Sequence, residues 1–340
     1  VSRPQVNYSQ WHYYNDGTVF TGLSSLDILT LTSALETATS IGDFLDTLWG
    51  QVKSVMVNDW LDFGYYTSFY VSKQRYLESR SFNTIYVEDS VMTKKSSQIE
   101  KLFCEYKWMD TMSSHFPFTV PKPIDFVCTD DTAQYSLEYY SLPSLAEIFV
   151  FGRISQKNWK RILNKINNFK TRLESCGPKV RQSGFYSSKL NSRKDAVLEI
   201  LGEEPVYFQF LQDQIKIALI LDEYDNTMVW SHGDLCFSNI LFDARRELIK
   251  VIDPRGKNEL SKGFDPMMPA LYDYFKLAHS YVSGYDSVIA GLELPQAHQI
   301  EFNLELCSEL FEVNRNILNA GISHLFFTMI PLHKDRIDRI

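Results

Sequence analysis

Nowhere in its 340 residues does the chain carry an apolar run near the eighteen or so that a membrane-spanning helix needs, so membrane insertion is not expected. Cysteine is sparse: Cys104, Cys128, Cys176, Cys236 and Cys307 make five, an odd number with no pair at metal-ligand spacing. That argues against a disulfide framework and against a zinc site, and the thiols read as reduced, in a cytoplasmic protein. Positive charge is also short. Lys and Arg total 34 against 42 Asp and Glu, a formal net charge of -8, where a nucleic-acid binder would want a basic face. A nucleotide site survives this test, because a few local basic groups and a metal suffice. We find no internal repeat, no low-complexity segment and no secretory signal pattern. The chain opens at Val1 inside a structured pattern and closes at Ile340 in a charged helical one.

What is present is ordinary for a folded protein of two or three domains: 44% hydrophobic and 14% aromatic residues, enough to bury a large core without staples. The first seventy-five residues read as mixed strand and helix, with a turn at Asn15-Asp16-Gly17 and a short helix from Ser40 to Gly50. From Ser81 the pattern changes. FNTIYV and SVMTKKS predict a hairpin turning at Asp89, followed by a helix through Ile99, Leu102, Phe103 and Tyr106. A second hairpin turns at Asp130-Asp131. SLAEIFVF opens a helical region, and Trp159, Ile162, Leu163, Ile166, Phe169 and Leu173 form one apolar helix face. Gly177 to Ser192 is polar and reads as a surface excursion. A helix is expected from about Val206 to Leu221, and beyond the central segment the pattern is helical to the end. Strands early and helices late argue an α+β fold rather than an alternating parallel sheet.

The central segment MVWSHGDLCFSNILFDARRELIKVIDPRG reads as strand, polar loop, short strand, turn, apolar strand and acid. His232-Gly233-Asp234 is followed five residues on by Asn239, and Asp253 stands fourteen residues further, at the end of LIKVI. Phosphoryl transfer needs a carboxylate to take the attacking hydroxyl's proton, and hard oxygen ligands to hold Mg²⁺ against the phosphates. Asp234, Asn239 and Asp253 supply that set in the order and spacing of the kinase template.

On these residues the segment resembles the aminoglycoside phosphotransferase and choline kinase group, whose hallmark is H-G-D-x-x-x-x-N and a later I-D. The resemblance implies a protein-kinase-like fold, with a small β-rich lobe at residues 76–141 and a large helical lobe at 142–340. It implies an ATP- and Mg²⁺-dependent kinase phosphorylating a hydroxyl of a small molecule: a sugar, an alditol or an amino alcohol. Asp234 would be the catalytic base, Asn239 and Asp253 magnesium ligands, and His232 an organiser of the loop. Asp273, in LYDYFKLAHS, matches a helical Asp that braces that loop. Protein kinases usually carry Arg where Gly233 stands, so control by a phosphorylated activation loop is not expected. Val91 to Lys94 matches the strand ending in the lysine that grips the phosphates, with Lys95 adjacent to it. Glu105 would pair with that lysine, and Glu100 is the other choice. LEYYSLPSL resembles the hinge between lobes, with backbone groups from Glu138 to Tyr140 facing adenine. No Gly-rich phosphate loop precedes Lys94. Arg255 would hold a phosphate or an anionic substrate, or form a surface ion pair. His279, His324 and His333 show no ligand pairing. A kinase-fold pseudokinase is the alternative.

Residues 1–75 resemble the last part of a sugar-1-phosphate nucleotidyltransferase, on YYNDGTVF, SIGDFLDTL and Trp60-Leu61-Asp62-Phe63-Gly64. The resemblance implies an α/β segment in which Asp62 holds a second metal. The nucleotide loop of that family has no counterpart in the sequence. A fragment of a bifunctional nucleotidyltransferase-kinase is a further alternative, and such a fusion points to bacterial capsule or surface-polysaccharide precursor synthesis.

Overall fold

The computed structural model describes residues 83–202 and 204–334, with residues 36, 38, 39 and 43 before them. Residues 83–202 and 204–334 lie in Glu78–Ile340, one of two compact units into which the chain divides. The front-segment readings, Asp62 among them, lie outside the described residues.

Strands β1 (Asn83–Glu88) and β2 (Val91–Ser96) form the first hairpin. Its turn residues Asp89 and Ser90 sit at φ 47° and 65°, the left-handed pair that matches the twist of a two-residue hairpin. Helix α1 (Ile99–His115) follows, then β3 (Pro123–Cys128) and β4 (Ala133–Glu138). The strands make one antiparallel sheet in the order β1-β2-β4-β3, and α1 packs across β2, β3 and β4. Leu102, Trp108, Met109 and Met112 of α1 are buried, and so are Tyr135 and Leu137 of β4. Lys94 and Glu105 therefore both enter the interior between sheet and helix.

Helix α2 (Leu145–Phe151) starts at a capping box, in which the Ser144 hydroxyl accepts from the Glu147 amide and the Glu147 carboxylate accepts from the Ser144 amide. Helix α3 (Gln156–Glu174) buries the face read from the sequence, Trp159 through Leu173. The stretch after it is not the surface excursion expected. It forms β5 (Val180–Arg181) and helix α4 (Phe185–Asn191), with Phe185, Tyr186, Lys189 and Leu190 buried. Two aromatics and a leucine in one short helix remove enough apolar surface to hold it inside despite its polar neighbours. Helices α5 (Lys194–Leu201) and α6 (Pro205–Tyr224) follow.

The central segment folds as β6 (Thr227–Trp230), a loop with a 3₁₀ turn at Phe237–Asn239, and the hairpin β7 (Ile240–Asp243) and β8 (Leu248–Val251). A short strand that the helical reading missed, β9 (Met267–Pro269), joins β6, which also pairs β5. Met268 is buried there and supplies the apolar reason for the pairing. Helices α7 (Tyr272–Tyr281), α8 (Tyr285–Ile289), α9 (Ala297–Phe311) and α10 (Arg315–Met329) complete the helical part. No helix among the described residues is long and apolar enough to cross a membrane.

Candidate active site

The loop between β6 and β7 is tied down from three sides. From α7, the Asp273 carboxylate accepts the His232 amide at 2.8 Å and the Gly233 amide at 2.9 Å. Burial pushes the Asp273 carboxyl up, and the two amides hold it in place. From α1, the Trp108 indole donates to the Ser231 carbonyl at 2.8 Å, and its ring meets the His232 imidazole edge-on at 5.2 Å. Burial lowers the His232 pKa and keeps the ring neutral, while its Nδ1 accepts the Asp234 amide at 3.3 Å. From the segment after β8, the Arg255 amide donates to the His232 carbonyl at 2.9 Å.

Gly233 stands at φ 79°, and a side chain there would meet Met268 and Arg255. The residue in this position must be small and left-handed for Arg255 to cross the loop.

Asn239 closes the loop on Asp234. Its Nδ2 donates to the Asp234 carbonyl at 2.9 Å and to the Asp234 carboxylate at 3.1 Å. The other Asp234 oxygen takes the Lys276 ammonium at 2.8 Å. Burial alone would raise the Asp234 pKa, but Lys276, with help from Arg255, holds it well below the usual carboxylate range.

Asp253 follows β8 at φ 61°, a left-handed conformation unusual for a side chain of this kind. The bonds flanking it, Ile252 amide to Asn239 carbonyl at 3.0 Å and Arg255 amide to His232 carbonyl, fix that geometry. Its carboxylate meets the Lys94 ammonium, which also donates to Glu105 at 2.6 Å. Burial works against the charge on Lys94, yet the two carboxylates raise its pKa. Burial opposes ionisation of Asp253 as well, and Lys94 overrides it. Glu105 is pushed up to about 7 by burial and by Asp253, with Lys94 pulling the other way. Gly256, at φ 58°, packs so tightly on α1 that a Cβ would stand 2.1 Å from the Cys104 carbonyl oxygen.

The structure thus joins Lys94 to Glu105, while Lys95 is exposed and Glu100 pairs with Lys257 at 2.8 Å. Glu138 and Tyr140 lie where β4 runs out toward α2, and the Tyr140 hydroxyl donates to Glu138 at 2.9 Å. Between them, the Tyr139 amide is already committed to the Ser90 carbonyl at 2.8 Å. Arg255 forms an ion pair with Glu259 at 3.1 Å, with its side chain 31% exposed. His279 and His324 are buried in the core, and burial lowers each to about 3.

Sequence reasoning missed Lys276 and Lys189. Lys276 was within reach: it follows Asp273 by one helical turn, so the helix face that presents Asp273 to the loop presents it too. Lys189 lay in the stretch read as surface. It is buried, and its ammonium donates to the Tyr272 hydroxyl.

Chemically, the site offers a fixed carboxylate, a second carboxylate with an amide oxygen nearby in the chain, and a buried ammonium held between two acids. The model of the phosphotransferase enzyme family matches residues 74–256. None of the curated proteins compared matches the sequence. A solved glucosamine kinase in complex with glucosamine, ADP and inorganic phosphate is similar at TM-score 0.52 and 10% identity, over 75% of this chain and 72% of that one. A second crystal form of a glucosamine kinase gives TM-score 0.52 and 10% identity over 76% and 77%. The kinase-like α+β fold, a small sheet lobe and a larger helical lobe, is therefore the one the motif implied. With more than half of its length matched, the chain belongs to the phosphotransferase enzyme family, as a small-molecule kinase.

Proposed function

We propose that the chain transfers the γ-phosphoryl group of ATP to a hydroxyl of a small molecule, with Asp234 taking the hydroxyl proton. The observation that carries this reading is the chain of contacts from Glu105 through Lys94 to Asp253, set beside an Asp234 that Asn239 and Lys276 hold in one orientation. Lys94 is the group that would meet the nucleotide phosphates, and Glu105 fixes its position. Glu138 to Tyr140 is the segment we assign to adenine. Asp273, through His232 and Gly233, positions Asp234.

The residues present fit a magnesium ion. Asp253 is kept ionised, with its side chain 43% exposed. The Asn239 amide nitrogen is spent on Asp234, and its oxygen accepts from the Ser238 hydroxyl at 3.4 Å, a long bond that a metal could replace. Both are hard oxygen donors, and Mg²⁺ takes one or two such ligands together with phosphates and water. When bound, the ion would neutralise charge on the phosphates.

Asp234, with its lowered pKa, is a weak base. That suits a loose phosphoryl transition state, in which the nucleophile keeps its proton until late and positioning supplies most of the rate. The bound ADP and glucosamine of the similar kinase support ATP as donor and a sugar-like alcohol as acceptor. The division into residues 1–75, 76–141 and 142–340, and a role in capsule or surface-polysaccharide precursor synthesis, rest on the sequence resemblance. The reading is tested by ADP release across a panel of hydroxyl compounds with and without Mg²⁺. It requires turnover that depends on both ion and acceptor, and ADP release indifferent to any acceptor would count against it.

A further inference from the structure

Three cations gather on the helical-lobe side of Asp234, and one of them, Lys189, has no carboxylate partner among the described residues. Lys276 lies against the Asp234 carboxylate at 2.8 Å. Arg255 crosses Gly233, its Cβ 3.1 Å from where a Gly233 side chain would begin, and reaches Glu259 at 3.1 Å. Lys189 is buried and donates to the hydroxyl of Tyr272, whose ring centroid is 4.7 Å from its ammonium. Among the described residues no ion pair joins Lys189 to a carboxylate. Asp234 and Glu259 each pair with one of the three; the Asp273 carboxylate, one helical turn from Lys276, accepts from the backbone amides of His232 and Gly233.

A buried ammonium whose hydrogen-bond partner is a phenol is costly unless something nearby carries negative charge. The Tyr272 phenol registers the excess: burial would raise its pKa, yet Lys189, Lys276 and Arg255 together lower it. Burial takes Lys189 down to about 8. An amine-bearing acceptor would bring a further positive charge next to Arg255 and Lys276.

We propose that the acceptor is an anionic hydroxy compound, a hydroxyl-bearing carboxylate or phosphate ester, whose negative group seats on Arg255 and Lys276 while its hydroxyl meets Asp234. Lys189 acts from beneath, through Tyr272, as a positioning residue. Arg255 offers the planar fork that carboxylates and phosphates match, and its side chain is exposed enough to be reached. The step itself balances simply. The acceptor oxygen bonds to the γ-phosphorus, the bridging bond to ADP breaks, and the hydroxyl proton passes to Asp234. This inference rests on the kinase reading above.

The test compares anionic acceptors with neutral and amine counterparts on the full chain: gluconate and glucose 6-phosphate against glucose and glucosamine, and glycerol 3-phosphate against glycerol. One anionic class should exceed its neutral parent in kcat/KM by about 10-fold or more, and the carboxylate and phosphate arms tell which anion is read. A neutral or amine acceptor that matches or beats its anionic counterpart overturns the proposal. Arg255→Gln should raise KM for the preferred anion by about 10- to 100-fold, with KM for ATP within about twofold. A rise in KM for ATP in place of the acceptor would assign the charges to the nucleotide and also overturn it. If no acceptor is turned over, the kinase reading fails separately, and calorimetry with ADP and Mg²⁺ decides this one. Saturable binding of gluconate or glucose 6-phosphate, absent for glucose and weakened in Arg255→Gln, upholds an anion site; equal binding of all three removes it.

Discussion

The ammonium of Lys276 lies 2.8 Å from the carboxylate of Asp234, although the two stand 42 residues apart in the chain. Helix α7 brings them together. Its first turn binds the loop through Asp273, and its next turn presents Lys276 to the residue that loop displays. The pair sets the charge of Asp234: its pKa is depressed, so it stays ionised as pH falls until well into the acid range. Replacing Lys276 by Gln removes the largest downward influence and should raise that pKa toward the ordinary carboxylate value. The acid limb of the pH profile for kcat should therefore move to higher pH than in the wild type. An unmoved limb, with turnover unchanged, would separate Lys276 from the chemistry.

Of the two metal ligands proposed, Asp253 should be the stronger, since a carboxylate binds Mg²⁺ better than an amide does. Asp253→Ala should raise the magnesium concentration needed for half-maximal turnover and weaken Mg-ATP binding. Asn239→Ala should show the same change to a smaller degree. Calorimetry checks both, and unchanged Mg-ATP affinity in Asp253→Ala would remove its assignment.

Glu105 links activity to pH. Its pKa is raised to about 7 by burial, so the ionised form that grips Lys94 predominates above that value and gives way below it. The expected consequence is that kcat/KM for ATP falls as pH drops through about 7, since that ratio reports the free enzyme. Glu105→Gln cannot titrate. It should be slower at pH values near 8 and flat across the range where the wild type changes.

Gly256 joins the segment after Asp253 to α1 at van der Waals contact. Alanine there would have to hold φ near 58° and move the Cys104 carbonyl, 2.1 Å from the added carbon. A strained left-handed residue costs about 1–3 kcal/mol, and the clash adds to that. Gly256→Ala should lower the melting temperature, while alanine at Gly263, where φ is 80° with open space around it, should cost only the backbone term.

Much of this site could be read in the sequence because its parts follow local rules. The two hairpins declare themselves by turn residues, and Lys94 and Glu105 fall on a strand and the helix behind it, both facing inward. Asp234, Asn239 and Asp253 stand in the order and spacing of the kinase template, and Asp273 is reached through the family resemblance. What escaped reading depends on distant packing. Lys189 sits in a helix of seven residues, too short to show a period, and only the burial of Phe185, Tyr186 and Leu190 reveals that its segment is interior. Lys276 was hidden for a different reason: a lysine on a helix is ordinarily a solvated charge, and its meeting with Asp234 is tertiary. The strand β9 is three residues long and exists because β6 offers it an edge.

The central claim is that Asp234 takes the acceptor proton, and one comparison tests it most directly. Asp234→Asn keeps size and shape, so Mg-ATP should bind within about twofold of wild type by calorimetry. ADP release with the same acceptor at saturating Mg-ATP should fall by about 10²- to 10⁴-fold, the usual worth of a general base. Turnover near the wild-type rate would contradict the assignment.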